Sequence, residues 1–143
     1  WRERRAYERE QSRNHGALRA KTVLLADPDD RAARVMTWRL ESLDCTVLRA
    51  RSGRAALRVD QQSAPDVVVA DALLPDVSAI QFYEQLGAAH RPVVFVGVLR
   101  EQWDALHSLG ANVACFGKPY DPDEVAAQAG AMLRRADRSL ESR

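Results

Sequence analysis

Three short apolar runs in this sequence each end directly in a charged residue, and this pattern constrains the fold most. Residues 23–26 lead into Asp27, residues 67–70 lead into Asp71, and residues 113–117 lead into Lys118. Runs of this length and composition are typical of buried strands. Parallel strands have all their carboxyl ends at one edge of the sheet, where open α/β proteins form their binding crevices. The sequence therefore predicts two carboxylates and an ammonium group close together at one sheet edge.

Strand-like and helix-like segments alternate along most of the chain. The predicted strands cover residues 23–26, 46–48, 67–70, 93–98 and 114–116, and the predicted helices cover residues 32–43, 52–62, 78–86, 103–109 and 122–135. The clearest helix start is Asp121, because Pro122 and Glu124 follow at positions typical of a capped first turn. Five strand–helix units need right-handed crossovers, which predicts an α/β fold with a doubly wound parallel sheet.

The charge of the chain is unevenly distributed. The formal net charge is +1, yet residues 1–21 carry seven basic and three acidic side chains, residues 134–143 carry four and two, and residues 22–133 carry ten and fifteen. We predict a charged N-terminal helix or linker over residues 1–20, one domain over residues 21–136 and a basic tail over residues 137–143. Because three glutamates interrupt the basic N-terminal segment, a solvated helix is favoured there over a nucleic-acid-binding arm.

The remaining composition is that of an ordinary globular protein. No apolar run approaches the roughly 18 residues that a membrane span needs, and no apolar signal segment is visible. Cys45 and Cys115 lie far apart, without the spacing of a zinc or redox motif, so we expect buried, reduced thiols in a cytoplasmic protein. Because the first residue is Trp1 rather than Met, we expect the sequence to belong to a longer chain.

The charged residues at the predicted sheet edge favour phosphoryl chemistry. Two crowded carboxylates repel each other unless a cation or an ammonium group offsets their charge. Mg²⁺ is commonly bound by one or two carboxylates together with phosphate oxygens. A carboxylate can also attack phosphorus and form an aspartyl phosphate. Asp27, Asp71 and Lys118 therefore predict a metal-assisted phosphoryl site, in which the lysine pairs with the phosphate.

Over roughly residues 21–136 the sequence resembles the receiver domains of response regulators in two-component signalling. The resemblance rests on residues 23–27, 65–75, 92–96 and 117–120, which occur in the expected order. It implies a flavodoxin-like fold with strand order 2-1-3-4-5. It also implies that a histidine kinase or a phosphotransfer protein supplies a phosphoryl group, and that its arrival switches a partner-binding surface.

The resemblance assigns roles to individual residues. It implies that Asp71 is the phospho-acceptor, that Asp27 belongs to an acidic Mg²⁺ pocket, and that Lys118 contacts the phosphoryl group. The carbonyl of Leu73 is implied as a further metal ligand. Two copies would pair through the last two helices and the strand between them. No membrane contact is implied, and nucleic acid would be reached only through the basic flanks or a domain outside this sequence.

Several positions depart from the family pattern, and three of them bear on the site. Pro28 follows Asp27 where a second acid is usual, and Asp29, one step further, is the candidate replacement. Gly97 has no side chain where the family carries a hydroxyl at the end of the fourth strand. Cys115, beside Phe116, stands where a switching aromatic residue is usual. These departures predict weaker Mg²⁺ binding and signalling without the usual hydroxyl–aromatic pair.

Two alternatives remain open at this point. The departures at Pro28, Gly97 and Cys115 are compatible with a pseudo-receiver, an interaction module that works without phosphorylation. The spacing of Asp27 and Asp29 also formally fits an aspartate-nucleophile phosphatase of haloacid dehalogenase type, although Gly97 and the short chain argue against it. We favour the phospho-accepting receiver, a signalling module rather than an enzyme.

Overall fold

The computed structural model of the protein describes residues 1–87 and 91–141 and contains one parallel five-stranded sheet. The strands are β1 (Thr22–Ala26), β2 (Thr46–Ala50), β3 (Val67–Asp71), β4 (Val93–Val96) and β5 (Val113–Phe116). The helices are α1 (Arg2–Gly16), α2 (Asp30–Ser42), α3 (Gly53–Ser63), α4 (Ala79–Gln85), α5 (Trp103–His107) and α6 (Pro122–Glu141), with a 3-10 turn at Arg100–Gln102 before α5. The spatial order β2-β1-β3-β4-β5 confirms the predicted α/β fold and strand order.

Each face of the sheet packs against its own set of helices. Neighbouring residues on a strand point to opposite faces, so Leu25 joins the apolar cluster under α2 and α6, whereas Leu24 joins the cluster under α3, α4 and α5. The central strand β3 is buried along its whole length. This double covering explains why the strand sequences are continuously apolar rather than alternating.

Helix α2 differs from its prediction in its start and in its inward face. Asp29 caps the helix, because its Oδ1 accepts the backbone N–H of Arg31 at 2.9 Å. The buried stripe consists of Ala33, Met36 and Leu40. The apolar spacing of residues 32–43 predicts Val35 on the inward face with Met36 and Leu40, but Val35 is 53% exposed, so that prediction was wrong; Trp38 is 71% exposed. They lie outside the helical stripe that faces the sheet.

Helix α6 begins as predicted but ends later. Asp121 Oδ1 accepts the backbone N–H of Asp123 at 2.9 Å, which caps the first turn. The helix passes the predicted end at Arg135 and reaches Glu141, because no glycine or proline follows to stop it. The predicted tail therefore begins inside a helix, and residues 142 and 143 lie outside the described residues. Within the described part of the chain, no helix has the length and apolar composition to cross a membrane.

The carboxyl-terminal end of helix α1 lies against α6. Asn14 is buried, and its Oδ1 accepts a hydrogen bond from Arg134 Nη1 at 2.7 Å. A Cβ placed on Gly130 would lie 1.8 Å from the Asn14 carbonyl oxygen, so the two helix backbones approach closely here. Leu18 is fully buried in the cluster under α2 and α6. The end of the N-terminal segment is therefore packed on the domain, whereas residues 1–10 are exposed.

Both cysteines are free thiols. Cys45 is buried and donates a hydrogen bond from its Sγ to the Leu18 carbonyl oxygen at 3.4 Å. Burial raises the pKa of the Cys45 thiol to about 11, with a further contribution from the Asp44 charge. Burial also raises the pKa of Cys115 to about 11. Thiols with such pKa values are poor nucleophiles at neutral pH.

Candidate functional site

The carboxyl edge of the sheet brings Asp27, Asp71 and Lys118 together. Asp27 follows β1, Asp71 ends β3, and the two side chains are almost fully buried. Lys118 follows β5, and its Nζ lies 3.9 Å from Asp71 Oδ2. The lysine side chain is 61% exposed, so its ammonium group lies at the mouth of the site rather than inside it. Two buried acids thus lie below one partly solvated cation.

The loop after β3 holds the Asp71 carboxylate in a fixed orientation. Asp71 Oδ1 accepts the backbone N–H of Leu73 at 2.7 Å. The Ala72 carbonyl accepts a hydrogen bond from Gln102 Nε2 at 3.2 Å, which ties this loop to the turn before α5. Asp76 fixes the other end of the loop, because its two carboxylate oxygens accept the backbone N–H groups of Gly53 and Arg54. Because Asp71 Oδ1 accepts the Leu73 N–H, Oδ2 is the oxygen of Asp71 that faces Lys118.

The Asp27 carboxylate is destabilised in its charged form. Its Oδ1 accepts the backbone N–H of Asp29 at 2.8 Å, which lowers the pKa. Burial is the larger effect and raises the pKa of Asp27 above its ordinary value, and the charges of Asp71 and Asp29 raise it further. The Lys118 charge opposes this rise only weakly. A cation at this position would relieve the repulsion between the buried acids.

Arg49 also belongs to this region, although no pattern in the sequence predicted a role for it. It lies on β2, and its Nη2 and Nε donate to the Asp27 carbonyl oxygen at 2.7 and 3.2 Å. Its Nη1 lies 2.8 Å from Asp30 Oδ1, and Arg51 pairs with the same carboxylate. The hydrogen bond from Arg49 is the main reason why the pKa of Asp30 is lowered. Arg49 therefore holds the loop that carries Asp27.

The structure places Asp29 at the start of α2. Its Oδ1 accepts the backbone N–H groups of Arg31 and Ala32, and the residue is exposed. This capping role engages Oδ1 and leaves Oδ2 without a helix N–H. Pro28, between Asp27 and Asp29, is also exposed and offers no side-chain oxygen.

The positions of the usual switching pair have different surroundings here. Gly97 follows β4 with a left-handed backbone, φ +68°. Cys115 packs against the cluster under α3, α4 and α5, and Phe116 packs against the opposite cluster. Tyr120 also packs on the side of α2 and α6. Burial, together with the charges of Asp27, Asp71 and Asp29, raises the pKa of Tyr120 to about 12.

The donor set at this edge fits Mg²⁺ with a reduced number of protein ligands. Within residues 1–87 and 91–141, no group of three or more His, Cys, Asp or Glu side chains is arranged to hold a metal ion. Asp27 and Asp71 would provide two carboxylate ligands, and a backbone carbonyl such as that of Leu73 would be the third ligand from the protein. Mg²⁺ tolerates such a set, because it commonly keeps several waters or phosphate oxygens.

We expect Asp27→Asn to stabilise the metal-free protein at pH 7. The carboxylate has a raised pKa in the folded state, so its ionisation above that pKa destabilises the fold. Asparagine keeps the oxygen that accepts the Asp29 N–H without the buried charge. In urea unfolding with a chelator present, the midpoint should rise at pH 7, and the gain should disappear as the pH falls and wild-type Asp27 becomes protonated. Exposed Asp137→Asn is the control; an equal rise there, or a lower midpoint for Asp27→Asn, would contradict the assignment.

A five-stranded parallel sheet with two buried aspartates and a lysine at its carboxyl edge defines a receiver-type signalling domain. Residues 23–129 match the response regulator receiver domain family, and the chain belongs to this family. Receiver domains of response regulators are generally signal transducers rather than enzymes, and they typically bind Mg²⁺ at the phosphorylation site. They interact with histidine kinases or phosphotransfer proteins.

Similar proteins include two bacterial transcriptional regulators. The chain is 28% identical over 120 residues to the alkaline phosphatase synthesis transcriptional regulatory protein PhoP of Bacillus subtilis, which covers 82% of this chain and 50% of that protein. It is 30% identical over 121 residues to the transcriptional regulatory protein CreB of Escherichia coli, covering 82% of this chain and 53% of CreB. The chain thus spans about half the length of these relatives.

A solved structure shows the same fold. The crystal structure of a signal receiver domain from Vibrio parahaemolyticus superposes with a TM-score of 0.74 at 19% identity. The superposition covers 86% of this chain and 97% of that domain. At this level of identity the likeness concerns the fold alone.

Proposed function

We propose that Asp71 accepts a phosphoryl group from a phosphohistidine of a histidine kinase or a phosphotransfer protein. The observation that carries this proposal is the orientation of the carboxylate. Asp71 Oδ1 is held by the Leu73 N–H, whereas Oδ2 faces Lys118 Nζ at 3.9 Å. Oδ2 would form the new bond to phosphorus while the phosphorus–nitrogen bond of the donor histidine breaks and that nitrogen keeps its electron pair. Lys118 would pair with the transferred phosphoryl oxygens.

Asp27, Asp71 and the Leu73 carbonyl are the residues that would hold Mg²⁺. When bound, the ion would neutralise charge on the phosphoryl oxygens. Asp27 would ionise fully only with such a cation nearby, because burial and Asp71 oppose its charge. We assigned Asp29 as a further candidate ligand, but its capping bonds leave Oδ2 as the only carboxylate oxygen without a helix N–H. Binding weaker than in receivers with a second acid is therefore expected.

The proposal is tested by the intact mass of the purified chain after incubation with phosphoramidate and Mg²⁺. We expect the wild-type chain to gain the mass of one phosphoryl group and Asp71→Asn to gain none. Asp104→Asn, at an exposed site on α5, is the matched control and should be modified like the wild type. A wild-type chain that stays unmodified, or an Asp71→Asn variant that is still modified, would contradict the proposal.

The pseudo-receiver is the second candidate function, and Gly97 is the observation that supports it. A receiver without the hydroxyl at this position lacks the usual contact to the phosphoryl group. It is not favoured, because the acceptor, the lysine and one buried acid are all retained. Partner binding that is identical for phosphorylated wild type, unmodified wild type and Asp71→Asn would decide for it.

The phosphatase alternative is the less favoured one. It needs Asp27 and Asp29 to act on one substrate, but Asp29 Oδ1 accepts two backbone N–H groups of α2. The chain also belongs to the receiver family, whose domains are generally signal transducers rather than enzymes.

We propose that two copies of the chain pair without displacing α1 from α6. Pairing of two copies through α5, β5 and α6 stays a prediction. Because α1 already lies against α6 at Gly130 and Arg134, such a pairing would use α5, β5 and the part of α6 outside this contact. A cytoplasmic location, without membrane contact, likewise stays a prediction from the family.

A further inference from the structure

The side chain of Lys118 lies across the backbone of Gly97. A Cβ built on Gly97 would lie 2.8 Å from Lys118 Cε, 3.6 Å from Cδ and 3.5 Å from Nζ. The lysine methylenes thus occupy the space that any side chain at position 97 would need. The backbone of Gly97 has φ +68°, a conformation that residues with a Cβ rarely adopt. The backbone conformation therefore favours glycine here, and a side chain at this position would make the flexible end of Lys118 shift.

This contact has a consequence for the ammonium group. Lys118 is 61% exposed, and a lysine side chain has four flexible methylene links. Because Gly97 has no side chain, the end of Lys118 can lie over position 97, on the side of β4. The same contact leaves Nζ 3.9 Å from Asp71 Oδ2. A methyl group at position 97 would push the methylenes away and move Nζ with them.

We propose that Gly97 is a positioning residue, which holds Lys118 beside Asp71 in place of a phosphate-binding hydroxyl at position 97. The proposal deepens the phospho-acceptor function and rests on it. It implies that a hydroxyl restored at position 97 would compete with the end of Lys118 for the same space and displace it from Asp71. Gly97→Ser is therefore expected to impair the site, although serine is a residue type found at this position in the family.

The contact can be tested in the wild-type protein without any phosphorylation. The only lysines in the sequence are Lys21 and Lys118, so selective ¹³Cε-lysine labelling gives two signals, of which Lys118→Met removes one. We expect a nuclear Overhauser effect between the Lys118 Hε and Gly97 Hα protons. In Gly97→Ala the Lys118 signal should shift and the Lys21 signal should not. Absence of the Overhauser effect in the wild type would overturn the inference.

Gly117→Ala is the matched control for the glycine substitution. Apart from its chain neighbours Phe116 and Lys118, its Cβ would meet the Val98 carbonyl oxygen at 3.7 Å, an ordinary contact. We expect the Lys118 signal of Gly117→Ala to stay close to its wild-type position. An equal shift in Gly97→Ala and Gly117→Ala would overturn a specific role for Gly97.

Phosphorylation rates with phosphoramidate and Mg²⁺ distinguish positioning from a general structural effect. A misplaced catalytic group costs up to about 100-fold and a removed charge donor about 100-fold or more. We expect a loss of about 10-fold for Gly97→Ala and for Gly97→Ser, and about 100-fold for Lys118→Met. Because Gly97 acts through Lys118, the double variant Gly97→Ala/Lys118→Met should be no slower than Lys118→Met. Losses that multiply, or a faster Gly97→Ser, would overturn the inference.

The two hypotheses fail in different ways. A wild-type chain that phosphoramidate does not modify would reject the phospho-acceptor function. The Overhauser effect and the Lys118 signal in Gly97→Ala would still decide whether Gly97 positions the lysine. If Gly97→Ala does not fold, the Overhauser effect in the wild type alone decides.

Discussion

Asp60→Ala is expected to lower the free energy of unfolding by about 3–5 kcal/mol, the cost of removing one partner of a buried ion pair. Asp60 lies on α3 with 5% of its surface exposed, and its Oδ1 pairs with Arg91 Nη2. Arg91 Nη1 also donates to the Pro65 carbonyl oxygen at 2.9 Å. The arginine therefore joins α3 to the starts of β3 and β4, and the substitution would leave its guanidinium without its carboxylate.

Urea unfolding measures this loss, and two variants act as controls. Glu8→Ala breaks an exposed pair with Arg4 and should leave the midpoint almost unchanged. The double variant Asp60→Leu/Arg91→Met replaces both charges by apolar side chains, so it should recover a large part of the loss, as buried ion pairs often tolerate such exchange. A midpoint of Asp60→Ala equal to that of Glu8→Ala would show that the pair does not stabilise the fold.

Gly130→Ala is expected to destabilise the protein by about 1–3 kcal/mol, the usual cost of overpacking. The new Cβ would lie 1.8 Å from the Asn14 carbonyl oxygen and 2.6 Å from its carbon, and these backbone atoms cannot rotate away. Helix α1 would have to move off α6, which would weaken the hydrogen bond between Asn14 and Arg134. Alanine has the higher helix propensity by about 1 kcal/mol, so propensity alone predicts the opposite sign.

Hydrogen exchange shows whether α1 is the element that moves. In Gly130→Ala, the amides near Asn14 should lose protection before those of the sheet. Gly16→Ala is the matched control, because a Cβ on Gly16 meets nothing within 4 Å, and it should be as stable as the wild type or slightly more stable. Unchanged stability and protection in Gly130→Ala would mean that the close approach of the helices is absent in solution.

Local sequence patterns were sufficient to predict most elements of this fold. Ser52 and Ser78 were predicted to start helices, and both side chains accept a backbone N–H of the first helical turn. The three charged strand ends predicted a shared sheet edge, and Asp27, Asp71 and Lys118 lie there. These predictions succeeded because caps and apolar periodicity act between residues a few positions apart.

The burial of individual side chains was harder to predict. Val35 was expected on the inward face of α2, but Ala33 occupies the position that faces the sheet. A small alanine allows the helix to lie close to the strands, and a hydrophobicity pattern gives such a residue little weight. Trp38 is exposed for a similar reason, because its side chain points away from the buried stripe of α2 formed by Ala33, Met36 and Leu40.

By itself, the sequence determined the α/β class, the order of the elements and the three charged positions at the carboxyl edge. The tertiary structure alone decided that Arg49 holds the Asp27 carbonyl, that Arg91 pairs with Asp60, that α1 lies against Gly130, and that Lys118 lies across Gly97. Each of these contacts joins residues more than 20 positions apart. No local pattern encodes them, because which distant side chains meet depends on how the packed helices and strands place their backbones.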